Sequence, residues 1–292
     1  MARTVSIVGA GRVGTALGKL LRGLGWHIGA VVTRSSRTAG AAVRAMGGGM
    51  PCRRLTSDLF AADVILLGTP DRALPGLARS LAEIGGEKCR GKIVLHASAT
   101  LDRGVLAPFA RRGALTGSLH PMQAFGGEII PKLNGIIFTI EGDRRARRVA
   151  RQIARSLGGV PVVIDSRDKA IYHASAVLAA GSIYALTEAG IGMLVGIGFT
   201  RQRAMQTLLP LLRQIPDNIE RIGPRAAWTG PLSRGDYAIV AKHVVALRRY
   251  PREFQQSYAA LALLAGRVLS RKPAAALKQI ERALKNSKGE MR

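Results

Sequence analysis

Gly9, Gly11 and Gly14 stand in the run Gly9-Ala10-Gly11-Arg12-Val13-Gly14, directly after the apolar stretch 5–8 and at the start of an amphipathic one. Glycines at that spacing, between a strand and a helix, can cradle a dinucleotide. The first allows a tight turn, the second lets the backbone approach a pyrophosphate, and the third permits close helix–strand packing. The helix start, with Arg12 and Val13 in its first turn, turns unpaired N–H groups toward the phosphates. A tight turn that binds nothing is the plainer alternative. After the second strand, a site for NAD carries an Asp or Glu that holds the ribose 2′-hydroxyl. This chain has Thr33-Arg34-Ser35-Ser36-Arg37 there, with no acid. Two guanidiniums and three hydroxyls suit a 2′-phosphate, so NADP is the expected cofactor, with NADPH preferred over NADH. Loop arginines that meet only solvent are the alternative.

Two further strand ends should border the cofactor, Gly68-Thr69-Pro70 and Ala97-Ser98, because ligands of open parallel sheets sit beyond the carboxyl ends of the strands. Thr69-Pro70-Asp71 also reads as an ordinary helix start. Proton chemistry has three candidates. His120, in Ser118-Leu119-His120-Pro121-Met122-Gln123, could donate a proton or a hydrogen bond to a substrate from a loop over a cleft. It could equally bond local backbone. Lys169 and His173 share one helix face four residues apart, continued by Val177, Ala180 and Tyr184, so that face should point inward. An inward Lys needs a partner or a task, such as protonating a carbonyl oxygen. A first-turn Lys that snorkels to solvent is the alternative. Pro121, Met122, Gln123, Thr229, Arg234 and Asp236 complete the candidate substrate contacts, with Arg234 able to clamp a carboxylate through two parallel hydrogen bonds. No His/Cys/Asp/Glu spacing suggests a metal, and no Gly-x-Ser-x-Gly run occurs.

The elements that must position these residues fall into two regions. Strand-like runs at 5–8, 28–32, 64–67, 93–96, 115–119, 136–140 and 160–164 alternate with amphipathic stretches, including a basic helix at 143–157. That alternation predicts an α/β Rossmann domain, a mostly parallel doubly wound sheet, over 1–166. From 168 onward the periodicity is helical, with one long small-residue helix at 168–195 and further helices at 201–222, 238–248 and 252–269. An all-α domain over 167–272 is expected to close the substrate cleft and to dimerise, followed by a peripheral basic tail over 273–292 in which 274–284 can form a short helix.

Composition narrows the class. The chain has 292 residues, 47% of them hydrophobic, enough for two cores and too apolar for disorder. Two cysteines exclude a disulfide scaffold. The formal net charge of +26 raises nucleic acid as a partner. The excess is spread, however, with 24 basic against 10 acidic residues in 1–166 and 20 against 8 in 167–292, and only a local cluster at Arg144, Arg145, Arg147, Arg148, Arg151 and Arg155. Aromatics are only 4%. Both facts argue against nucleic acid and for a positive field that favours small anionic ligands. With no signal-like N-terminus and no uncharged apolar run of about 20 residues, a cytoplasmic location without membrane contact is expected.

These motifs together resemble bacterial Rossmann-like proteins with domain of unknown function 2520. The resemblance rests on Ile7-Val8-Gly9-Ala10-Gly11-Arg12-Val13-Gly14, Leu119-His120-Pro121-Met122-Gln123, Lys169 with Tyr172-His173-Ala174, and Thr229-Gly230-Pro231 with Arg234-Gly235-Asp236, and covers about residues 3–270. That family is similar to 6-phosphogluconate and β-hydroxyacid dehydrogenases, ketopantoate reductases and pyrroline-5-carboxylate reductases. The resemblance implies an NADP-dependent oxidoreductase, with Lys169 matching the acid/base lysine of β-hydroxyacid dehydrogenases. Ala180-Gly181-Ser182-Ile183-Tyr184 is similar to a Gly-Ser-Gly-Pro-Ala-Tyr stretch of pyrroline-5-carboxylate reductases, and His120-Pro121-Met122 to a segment of prephenate dehydrogenases. The expected substrate is a small carboxylate-bearing carbonyl or hydroxyl compound, a ketopantoate-like 2-oxo acid first. Imine reduction, or NADP binding by a non-catalytic sensor, are the alternatives.

Overall fold

The computed structural model describes residues 3–126 and 129–289, with backbone alone for 286–289. It divides into two compact units, one ending at Ala180 and one starting at Gly181.

The first unit is built on eight strands: β1 (Thr4–Val8), β2 (His27–Val32), β3 (Met50–Cys52), β4 (Val64–Leu67), β5 (Ile93–His96), β6 (Leu115–Pro121), β7 (Ile137–Gly142) and β8 (Val160–Val163). Their spatial order is 3-2-1-4-5-6-7-8. The first six run parallel, in the order of a dinucleotide-binding sheet, while β7 pairs antiparallel with β6 and carries β8 alongside. The expected mostly parallel sheet is therefore present. Val64–Leu67 and Ile93–His96 are buried at every position, as central parallel strands covered on both faces must be. Helices α1 (Arg12–Gly23), α2 (Ser36–Met46), α3 (Leu74–Gly85), α4 (Ala107–Ala110) and α5 (Arg144–Ser156) cover the two faces. One core packs α1 and α5 on Ile7, Leu66, Leu95 and Ile140, and the other sets α3 on Ile65, Leu67 and Val94.

The strand order reverses between β1 and β4, so a crevice opens at their carboxyl ends. The unit continues through α6 (Lys169–Ala176) and ends within a π-turn at Val177–Gly181, so Lys169 lies in the first unit rather than the helical region. The expected single helix over 168–195 is thus two α segments joined by a wider turn.

The second unit is entirely helical, with α7 (Ser182–Val195), α8 (Arg201–Ile222), α9 (Pro224–Ala227), α10 (Pro231–Arg234), α11 (Tyr237–Ala246), α12 (Arg252–Val268) and α13 (Pro273–Gly289). The basic tail expected at 273–292 needs correcting. Residues 273–289 form α13, which buries Ala276, Ile280 and Ala283 and packs on α11 and α12. Ile280 fits there because Gly266 offers no side chain at the contact. Residues 290–292 lie outside the described residues.

Two other expectations change. The α6–α7 face does not point inward, since Val177 is 49% and Tyr184 71% exposed. The sheet supports only the first turn of α6, and alanine and glycine spacing cannot tell an unpartnered helix from a buried one. By length and composition, the helical run Ser166–Val195 also reaches the 18-residue mean hydropathy of a membrane span, at 1.5, with 6% of that window buried.

Candidate functional site

The glycine loop meets the demands of a dinucleotide. Gly9, at φ +87°, follows β1 and packs against the end of β4, where a Cβ would lie 2.5 Å from the Thr69 methyl. A Cβ on Gly14 would lie 2.6 Å from the Gly9 carbonyl oxygen, so α1 can approach β1 only without one. Gly11 differs, for nothing stands within 4 Å of the place its Cβ would take. It caps α1 without a side-chain acceptor, so the first amides of the helix stay open. The Thr69 hydroxyl is buried beside this loop with no hydrogen-bond partner in the described structure. An orphaned hydroxyl, open amides and an empty approach at Gly11 fit a bound pyrophosphate. Beyond Gly11, a cavity of about 370 Å³ runs along α1 to Phe125 and Ile129–Pro131, with Arg12, Thr15 and Lys19 in its wall.

After β2, the Ser35 hydroxyl caps α2 by accepting the Thr38 N–H at 3.2 Å, and Thr33, Ser35 and Thr38 share hydroxyl hydrogen bonds. Arg34, Ser36 and Arg37 are exposed there. Neither arginine has an ion-pair partner among the described residues. Two uncommitted cations at a helix start are what a 2′-phosphate needs.

A second polar group lies at the carboxyl edge of β5 and β6 and crosses to β7. Strand pairing sets His96 beside Ser118, Ser118 beside Glu141, and His120 beside Thr139. Alternation along each strand puts all five on one face, while Leu119, Phe138 and Ile140 fill the core on the other. The first turn of α6 sits over this ribbon. Lys169 is 1% exposed and donates from Nζ to Ser118 Oγ at 2.9 Å. Tyr172, three residues on, hydrogen-bonds His120 Nδ1 at 3.2 Å and meets its ring edge-on.

Burial drives the electrostatics of this cluster. It lowers the Lys169 ammonium below its ordinary value, against the opposing pull of Glu141, Asp102 and Asp71. None of these carboxylates reaches ion-pair distance of Lys169. Burial, then the Lys169 charge, lowers His120 to about 4, so it is a neutral imidazole near pH 7. The same two causes lower His96 to about 4. His96 is structurally committed, since Nδ1 accepts the Ser98 N–H and Nε2 donates to the Asp102 carbonyl, each at 3.2 Å. Burial also raises the Glu141 carboxyl, which accepts the Arg103 N–H. The one buried cation of this cluster is therefore Lys169, held by a hydroxyl instead of a counter-ion and lowered by burial.

Residues 2–121 match a family model described as a Rossmann-like domain, and residues 136–265 one described as a domain of unknown function, DUF2520. The chain joins a Rossmann-like domain to a DUF2520 domain. No curated protein matches it. Among solved structures it is similar to BF3122 of Bacteroides fragilis, at 20% identity and TM-score 0.73, over 89% of this chain and 96% of that one. It is also similar to Plasmodium falciparum pyrroline carboxylate reductase with NADP bound, at 15% identity and TM-score 0.58, over 98% and 97%. A third is the reductive aminase of Aspergillus terreus with NADPH and ethyl levulinate, at 15% identity and TM-score 0.63, over 98% and 95%. At these identities the likeness is one of fold.

The polar cluster draws on both matched segments. Ser118 and His120 come from the Rossmann-like one, and Thr139, Glu141, Lys169 and Tyr172 from the DUF2520 one. Of the candidates read from sequence, Lys169 and His120 come together there. His173 is half-buried near His120, which feels its charge. His120 and Pro121 lie inside β6, not in a loop, because pairing with β7 extends the strand. Met122 and Gln123 follow it. Ala97 and Ser98 end β5, and Ser98 is spent on structure, donating to Asp71 at 2.8 Å and accepting the N–H groups of Thr100 and Leu101. Thr229, Arg234 and Asp236 belong to the second unit, where Arg234 pairs with Asp236 at 3.0 Å. Ser118, Thr139, Glu141 and Tyr172 were not among the candidate contacts. Ser118, Thr139 and Glu141 become neighbours through strand register and Tyr172 through the placing of α6, neither of which leaves a local signal.

Proposed function

We propose that this protein is an NADP-dependent oxidoreductase in which Lys169 donates the proton that accompanies hydride transfer. The observation that carries this reading is a fully buried lysine, anchored by Ser118, at the same carboxyl edge of the sheet as the glycine loop. The loop Gly9–Gly14 and Thr69 would hold the pyrophosphate, and Arg34, Ser35, Ser36 and Arg37 the 2′-phosphate. NADPH supplies the hydride when bound. Lys169 gives a proton to the oxygen or nitrogen that becomes negative, while neutral His120, oriented by Tyr172, hydrogen-bonds the substrate. His173 tunes this pair. A small anionic substrate fits both the charge of +26 and the ammonium at the site. A 2-oxo acid of the ketopantoate kind is the first compound to assay. The second reading, reduction of an imine, draws support from the fold shared with a pyrroline carboxylate reductase and a reductive aminase. Loss of NADPH absorbance with 2-oxo acids or cyclic imines tests both. NADPH binding without turnover on either panel would favour a sensor.

Cofactor choice has its own test. NADPH should bind more tightly than NADH, and Arg34→Ala should weaken NADPH about tenfold, the worth of one charged hydrogen bond, while leaving NADH within about twofold. Equal wild-type affinities in a fluorescence titration would remove the 2′-phosphate assignment.

The protein is also proposed to be a homodimer built on the helical region. In the second unit Tyr184 and Leu211 are each more than 60% exposed and Ile197 is 59% exposed, an apolar load beyond what a monomer surface carries without use. Light scattering at micromolar concentration should give about twice 31.0 kDa. A monomer mass, or partition of the purified chain into lipid vesicles, would contradict this.

A further inference from the structure

Away from the proposed site, the first unit carries a groove of about 1200 Å³. Its walls are the turn that leads into β5, with Arg90, Lys92 and Ile93, and the flank of α5, with Arg145, Arg148, Arg151 and Arg155. Asp63, the residue before β4, is the single carboxylate lining it and already accepts the Thr4 hydroxyl at 2.6 Å. The glycine loop and Gly68 lie at the carboxyl ends of β1 and β4, whereas Asp63 and Lys92 precede the amino ends of β4 and β5. The two sites therefore belong to opposite ends of the strands.

Helix α5 explains how the cations gather. Ala146, Ala150, Ile153 and Ala154 are buried on the sheet side. Every arginine consequently falls on the remaining arc. None of the α5 arginines forms an ion pair among the described residues, and in the groove only Arg90 does, with Glu87 at 3.6 Å. From Arg145 to Arg155 the row runs about 15 Å, at about 1.5 Å per residue. Four arginines of this row, Arg145, Arg148, Arg151 and Arg155, line the groove, so about four phosphates would be neutralised there.

We propose that this groove binds single-stranded nucleic acid through its phosphodiester backbone, without reading sequence. A row of unpaired guanidiniums matches a row of phosphates, each of which can take two parallel hydrogen bonds. The lining has no aromatic ring, so bases are not stacked and the contact stays with the backbone. A flat lipid surface matches a concave groove poorly, and an acidic peptide of mixed sequence does not carry a charge at every residue as a phosphodiester strand does.

The test is fluorescence anisotropy of full-length protein with a labelled mixed-sequence single strand of about 12 nucleotides, across a salt series. About four contacts at about 0.7 each predict a log–log salt slope near −3. The triple variant Arg145→Gln, Arg148→Gln, Arg155→Gln should bind about 100-fold more weakly at 0.1 M salt, with the slope reduced by about 2. The same loss of charge on α8, in Arg203→Gln, Arg213→Gln, Arg221→Gln, should leave binding within about threefold. Should the α5 triple fail to fold by circular dichroism, Arg148→Gln and Arg155→Gln singly should each cost about fivefold. Equal losses in the two triples, an unchanged slope, or no binding at 0.1 M salt would overturn the proposal. So would displacement of the strand by phosphatidylserine vesicles or polyaspartate at lower charge concentration.

Discussion

Lys169→Ala is expected to lower kcat by roughly 10²–10⁴-fold, the range for losing a positioned general acid, with NADPH affinity unchanged within about twofold. The split follows from geometry. Lys169 binds Ser118 on β6, whereas the glycine loop follows β1. Lys169→Arg should not restore turnover. A guanidinium stays protonated, and its larger fork must fit where the native side chain is 1% exposed. The pH profile gives the sign. Burial lowers the Lys169 ammonium, so the protonated, donating form is lost at a pH below that of an ordinary lysine. Wild-type kcat should therefore fall on the alkaline side earlier than an unperturbed lysine would allow, and the residual activity of Lys169→Ala should lack that limb. His120 is the rival acid. Held at about 4, it carries no imidazolium proton to give near pH 7, so His120→Ala should cost less. Near-wild-type turnover in Lys169→Ala, together with abolition in His120→Ala, would reverse the two roles.

Gly11→Val separates cofactor binding from folding. The space around a Cβ at Gly11 is empty to 4 Å and the residue has φ −75°, so a branched side chain fits the protein and the melting temperature should hold. The methyl groups would stand where a pyrophosphate must come within hydrogen-bond reach of the α1 amides. NADPH affinity should fall at least about 100-fold, or about 2.7 kcal/mol. Gly9→Val makes the instructive contrast. At φ +87°, with Thr69 2.5 Å from the new Cβ, it strains the fold itself and should lose stability and binding together. Wild-type NADPH affinity in a folded Gly11→Val would place the cofactor elsewhere.

What could be read directly from the chain was whatever depends on neighbours in sequence. The Gly9–Gly14 spacing, the acid-free loop after β2, the all-apolar run of β4 and the helical period from 201 to 222 are local patterns, and each element forms where its pattern lies. Lys169 stood out because a lysine among small apolar residues is locally costly. Its anchor did not. Ser118, Glu141 and Thr139 become neighbours only when β7 turns back against β6, and Tyr172 finds His120 only when α6 lies across that pair. Register between strands that lie apart in sequence leaves no trace in either strand. Exposure of the α6–α7 face was equally hidden, because periodicity names a face without saying what covers it. Charge behaved in the same way. Counted by halves, the basic excess is even and the arginines of 144–155 form a local cluster, but only folding turns the apolar side of α5 to the sheet and sets those arginines against Arg90 and Lys92, which precede β5. Local physics thus decided which elements form, and the packing of distant ones decided which charged groups share a wall, because desolvation and Coulomb interaction depend on distance in space and not on separation along the chain.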